Sequence, residues 1–277
     1  MGDMNRVIEG PCASEGWTKL TALGAKTINH LVVPDGVHSI DEIRVTATAL
    51  VQTDAKGCLL GISLRGGAIP NTPYDFLVGG LTNGTVTTSG ARAVHMRPFL
   101  KKCGIMVKPG QPLEVYGAMI TGSDCGTVEF QVEVSWSKAA GKKRYSEIRY
   151  ASCATLDTDA DMTLDGDSDT LNDFDWPADV SRIVSYIPAV GGITLATATG
   201  GTAQVKLEGG LVEGDQVLVA GGHSALNTTN GMGGFIYETE EIETNIPVTK
   251  QGKTMGVAQA GGVDWGTPYI GISLECE

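Results

Sequence analysis

Apolar and polar residues alternate along most of this chain. In VEFQVEVSW, Val128, Phe130, Val132 and Val134 fall on one face while Glu129, Gln131 and Glu133 fall on the other. That is the two-residue period of a half-buried strand. The same reading holds for IRVTATALV (43–51), CLLGISL (58–64), PLEVYGAMI (112–120), TAQVKL (202–207), DQVLVA (215–220) and FIYETEEI (235–242). Glycine pairs at 66–67, 79–80, 209–210 and 221–222 mark strand ends. No window holds a 3.6-residue period beyond about two turns. RPFLKKC (97–103) is the best place for a single helical turn. Short strands joined by turns predict antiparallel sandwiches or jelly rolls.

The pattern also repeats. Thr27-Ile-Asn29, Pro34, Val37 and Ile40 match Thr170-Leu-Asn172, Pro177, Val180 and Ile183 at an offset of 143. Ile62, Leu64, Gly66 and Gly67 match Val205, Leu207, Gly209 and Gly210 at the same offset. Leu77 with Gly79-Gly80 matches Val219 with Gly221-Gly222 at 142, and Cys12 matches Cys153 at 141. Ile105-Met-Val107 matches Ile246-Pro-Val248, and Asp124-x-Gly-Thr matches Asp264-x-Gly-Thr. Glycine- and threonine-rich β sequences resemble one another by composition, but matched blocks in one order across the chain point to duplication. The fold class predicted is therefore all-β, with two tandem jelly-roll or β-sandwich domains related by internal duplication. The domains are placed at 1–137 and 148–277, with 138–147 as a polar linker.

Composition narrows the chemistry. The net charge is −12, yet residues 1–141 carry 12 basic and 12 acidic side chains. The imbalance comes from the second half, chiefly from eight Asp within 157–175. A basic nucleic-acid-binding face is not expected. Six cysteines form no CxxC pair, and the four histidines fall at no metal-ligand spacing. The even cysteine count admits disulfides; without an apolar leader in MGDMNRVIEG, reduced buried thiols are the expectation. No apolar run approaches the ~18 residues that cross a bilayer. There is no G-x-S-x-G elbow and no P-loop. The paired Asp-x-Gly-Thr blocks differ in order from the Asp-Thr/Ser-Gly of aspartic proteases and read as turns. No catalytic residue is predicted.

The Asp-rich stretch is the one candidate for ligand chemistry. Asp161, Asp165, Asp167 and Asp169 are the candidate metal ligands, because clustered carboxylates on a loop can wrap Ca²⁺ with several oxygens. The position that would close an EF-hand-like loop is Asn172 rather than Glu. The competing reading is a solvated acidic connection with no cofactor at all.

The duplication, the strand-only texture and the matched TIN/TLN and DxGT blocks resemble the double jelly-roll major capsid proteins of icosahedral viruses. The resemblance is architectural, and the two halves here are more alike than that family's. It implies a virion structural protein, made in the host cytoplasm, that forms homotrimers standing as pseudo-hexagonal capsomers with lattice contacts to other capsid proteins. The alternatives are a phage head-decoration protein and a tandem β-sandwich module binding carbohydrate or Ca²⁺. Such modules present exposed aromatics, whereas Trp17, Trp136, Trp176 and Trp265 fall at no matched repeat positions.

Overall fold

A computed structural model describes residues 5–12, 16–22, 30–51, 58–71, 73–81, 98–120, 127–153, 159–161, 173–174, 176–191, 200–209, 216–224, 236–248, 254–263 and 269–277. The chain is all-β, and no helix long and apolar enough to cross a membrane occurs among these residues.

In the first half, β1 (Asn5–Cys12), β3 (Thr21–Ala22), β5 (Ser39–Val51), β8 (Phe99–Met106) and β10 (Thr127–Ser137) form sheet I in the order β3-β1-β10-β5-β8. Strands β2 (Gly16–Lys19), β6 (Cys58–Arg65), β7 (Tyr74–Leu81) and β9 (Pro112–Ile120) form sheet II in the order β7-β6-β9-β2, with β4 (Leu31–Val32) beside β9. In the second half, β11 (Tyr145–Ser152), β14 (Arg182–Gly191), β18 (Ile242–Pro247) and β20 (Tyr269–Cys276) make sheet III, β11-β20-β14-β18. Strands β12 (Asp159–Asp161), β15 (Gly200–Gly209), β16 (Gln216–Ser224) and β19 (Thr254–Val263) make sheet IV, β12-β19-β15-β16, with β13 (Asp173–Phe174) beside β19. Apart from the short edge strand β3, the two orders correspond. The eight main strands of each copy follow the jelly-roll path, first-eighth-third-sixth over fifth-fourth-seventh-second.

The duplication extends to register. Trp136 pairs Ile40 and Ser135 pairs Glu42 across one irregularity; Cys276 pairs Ile183 and Glu275 pairs Ser185 across its counterpart. Strands β6 and β7 skip Val78 between the pairs Leu60–Gly79 and Gly61–Leu77, and β15 and β16 skip Ala220 between Ala203–Gly221 and Gln204–Val219. The residue at both bulges is a glycine with positive φ, 153° at Gly79 and 137° at Gly221, which a side chain would strain. The connection between β10 and β11 is 138–144, with Tyr145, Ser146 and Glu147 of the predicted linker already in strand. RPFLKKC is not a helical turn: Phe99 to Cys103 lie in β8, paired with β5.

The copies are stacked face to face, in the layer order I, II, III, IV. Strands β11, β14 and β20 of sheet III pack on β6 and β7 of sheet II. One apolar core runs through the first sandwich and takes in Ile148, Tyr150, Ile187 and Ala189 from sheet III; a second core fills the space between sheets III and IV. Layer position explains why alternation is clear in some strands and lost in others. Strands β8 and β10, on an end layer, alternate between buried and less buried residues. Strands β6 and β20, on the middle layers, are buried almost throughout because both faces are covered.

Equivalent positions record the same difference. On the open face of sheet I, Arg44 pairs Glu133 and Thr46 pairs Gln131; on the covered face of sheet III the matching pairs are Ile187–Ser273 and Ala189–Gly271. Water keeps the first face polar, and burial requires small or apolar residues on the second.

Candidate functional site

The junction of the copies contains a charge network that breaks the apolar rule. Lys101 lies on β8 at an inward position, between Phe99 and Cys103, and its side chain is 1% exposed. Its ammonium contacts the carboxylates of Glu275 on β20 and Glu241 just before β18, and donates to Ser185 Oγ at 3.4 Å. Ser185 Oγ in turn donates to Glu275 Oε2 at 3.0 Å. Arg144, in the connection between the copies, reaches Glu275 Oε1 at 3.5 Å and Glu277 Oε2 at 2.8 Å. The backbone amide of Lys102 donates to Glu241 Oε2 at 2.9 Å. Two cations therefore face two buried carboxylates, and all but one of these contacts tie the first copy or the connection to the second copy.

Burial alone would lower the Lys101 pKa, but the charges around it, Glu275 foremost and Glu241 among them, hold it above its ordinary value, so the ammonium stays charged. Burial pushes the Cys103 thiol well up, against the pull of Lys101, so it remains protonated and unreactive at neutral pH. Burial, and next the Glu275 charge, likewise push up the Tyr74 hydroxyl. Beside the network a cavity of about 510 Å³ opens, lined by Asp41, Glu42, Lys102, Arg144, Glu241 and Glu243 among others. None of these side chains forms a nucleophile–base pair of the kind acyl or phosphoryl transfer needs. Chemically, the arrangement locks two domains together through compensated charge.

A second feature lies on the part of sheet II next to β2. The Arg65 guanidinium carbon sits 4.6 Å from the Tyr116 ring centre and 5.4 Å from that of Trp17. Lys19 pairs with Glu114 at 2.6 Å and also approaches the Tyr116 ring. The half-buried aromatic pair thus already engages a cation.

Asp75 lies on β7 between the two copies. Burial pushes its pKa up to about 6, and Ser63 and Arg65 only partly offset that; its Oδ1 has no hydrogen-bond partner. A raised carboxylate pKa favours the protonated folded state. Stability from this group is therefore full below pH ~4 and falls as pH rises through ~6, by up to about 3 kcal/mol. Asp75→Asn is expected to raise the urea midpoint at pH 7.5 and to leave stability flatter between pH 4 and 6. An unchanged midpoint would show that the carboxylate carries no burial cost.

Of the predicted metal ligands, Asp161 lies on β12, which pairs with β19. Asp165, Asp167 and Asp169 lie outside the described residues. Among the described residues no group of three or more His, Cys, Asp or Glu is placed to hold a metal ion. Cys12, Cys58, Cys103, Cys153 and Cys276 are buried free thiols; Cys125 lies outside the described residues. Trp136 and Trp176 are buried.

Sequence reasoning missed Lys101, Glu241 and Glu275. For Lys101 and Glu275 the signal was a lysine and a glutamate at core-facing or doubly covered strand positions, visible only once the strands and layers are known; Glu241 lies between β17 and β18 and carried no such signal. FIYETEEI is not one strand either: β17 (Ile236–Glu238) ends before Thr239, and β18 begins at Ile242.

No protein-family model and no curated protein matches the chain. Among solved structures it is similar to the tandem CBM22-1–CBM22-2 domain at the N-terminus of Xyn10C from Paenibacillus barcinonensis. The identity is 11% and the TM-score 0.22, with 99% of this chain and 93% of that chain covered. At that score the likeness carries no weight for function.

Proposed function

We propose that this chain is a virion structural protein, a non-catalytic shell subunit that assembles as homotrimers with six jelly rolls to a ring. The supporting observation is the stacking order. Inside the chain, sheet II of one jelly roll meets sheet III of the next, and sheet III corresponds to sheet I while sheet II corresponds to sheet IV. The two end layers, I and IV, are thus the same two kinds of face that already meet in the middle. A second chain can repeat the contact head to tail, and such a heterologous contact closes into a ring or extends into a filament.

The end faces carry Arg44 and Glu133 on one side and Thr202, Gln204 and Lys206 on the other, with Val217 60% exposed among the latter. A contact between them is mainly polar and therefore sensitive to salt. The same contact serves a major capsid protein and a head-decoration protein; the two differ in whether the pure protein closes into shells unaided.

Light scattering at tens of micromolar protein and low salt is expected to give three times 28.9 kDa, with six-lobed rings in negative stain and partial dissociation in 0.5 M NaCl. A monomer under every condition would sink this reading. The Trp17–Tyr116 patch favours a second reading, a carbohydrate-binding module. It requires an oligosaccharide to displace Arg65 from both rings, with a saturable change in tryptophan fluorescence that Trp17→Ala removes; an unchanged spectrum across an oligosaccharide panel rules it out.

A further inference from the structure

The contact between successive jelly rolls has a second component besides the stacked faces. Strand β17 sits in the connection between β16 and β18, yet it leaves its own copy and pairs with the edge of sheet II in the other. Ile236 pairs Leu81, Tyr237 pairs Gly80 and Glu238 pairs Gly79, antiparallel. The hydroxyl of Thr239, the next residue, donates to the carbonyl oxygen of Pro188 on β14. The second jelly roll thus clamps the fifth main strand of the first by β-augmentation.

The fifth main strand of the second copy is β16. It ends the order β12-β19-β15-β16, and among the described residues no strand pairs with its outer side. An edge of nine residues that includes Gln-Val-Leu-Val is a template for another chain. The duplication also identifies what should fill it. The copies are offset by 141 at Lys101/Ile242 and by 142 at Gly79/Gly221, as their registers show. At 141, β17 corresponds to His95-Met-Arg97 in the connection between β7 and β8, and Thr239 corresponds to Pro98. A proline directly after the segment suits a strand that must leave the edge there. Residues 95–97 lie outside the described residues.

We propose that the outer edge of β16, over Gly221 to His223, is a docking edge for a second copy of this chain, taken by residues 95–97 of that copy. This rests on the self-assembly reading and names one contact within it. In the matching register His95 lies opposite His223, as Ile236 lies opposite Leu81.

The test is a cysteine pair in the full chain, His95→Cys with His223→Cys, oxidised with diamide and run without reductant. Wild type and each single variant are the controls, since the five described native thiols are buried. Interchain covalent dimers and trimers from the double variant alone are the expected result, with Gln216→Cys replacing His223→Cys abolishing them because it lies at the far end of the strand. A trimer by light scattering that gives no cross-link, or one equally strong with Gln216→Cys, overturns the docking edge and leaves self-assembly standing. A monomer by light scattering with no cross-link overturns both.

Discussion

Lys101→Met is expected to cost about 3–5 kcal/mol in urea unfolding at pH 7, a large share of the total stability of a protein of this size. The methionine fills nearly the same space, so the loss is not one of packing. It arises because Glu275 and Glu241, at 4% and 8% exposure, keep their burial while losing their nearest cation. Arg144 remains, but it lies 3.5 Å from Glu275 and is shared with Glu277. Adding Glu241→Gln to Lys101→Met restores the balance of one cation to one carboxylate. The double variant should recover much of the loss, so the two substitutions should be strongly non-additive. Because Lys101 is held above its ordinary pKa, its contribution is present below pH ~10 and is lost only above that; the cost should not vary between pH 6 and 9. A single variant within 1 kcal/mol of wild type would mean that these charges meet water in the folded protein.

That network also shows where sequence reading stops. The duplication was legible to the residue: offsets of 143 at Ile40/Ile183 and 141 at Ile105/Ile246 reappear as matched cross-strand pairs. Repeated blocks carry that information because turns, bulge glycines and inward positions are local requirements of one fold. The stacking of the copies left only a trace, the contrast between VEFQVEV and YIGISLEC. The second strand loses its alternation because a further layer covers its outer face. The charge network left less still, since Lys101 and Glu275 are 174 positions apart and neither has a charged counterpart in the other copy: Ile242 stands for Lys101 and Ser135 for Glu275. An ion pair between nonequivalent residues is invisible to self-comparison. RPFLKKC read as a single helical turn for the same reason, because only tertiary packing sends Lys101 inward from a strand. Strand β17 was found as strand but assigned no partner, and its partner lies in the other copy.

Gly80→Ala is the substitution expected to separate the two jelly rolls. A methyl group there would overlap the Val190 carbonyl oxygen and lie 2.5 Å from its carbon and 3.0 Å from Gly191 Cα. All three are backbone atoms of β14 in the facing sheet, so no side chain can rotate away and the sheets must move apart. The cost should be about 3 kcal/mol or more, and it should fall on the contact between copies rather than on either sandwich. Limited trypsin digestion reports this directly. The connection contains Lys138, Lys142, Lys143 and Arg144, and Lys142 is held to β8 by its amide donating to Gly104 O and by its carbonyl accepting from the Met106 amide, both at 2.8 Å. Gly80→Ala should speed cleavage at these sites and yield two fragments that each resist further digestion. Gly222→Ala is the matched control, at the equivalent position on sheet IV, where no further layer is supplied among the described residues. It should leave the tryptic pattern and the monomer's melting temperature unchanged and weaken only the association of chains. Equal sensitivity at both positions would mean that the cost comes from the strands themselves, and that the close approach of sheets II and III does not set the requirement for glycine.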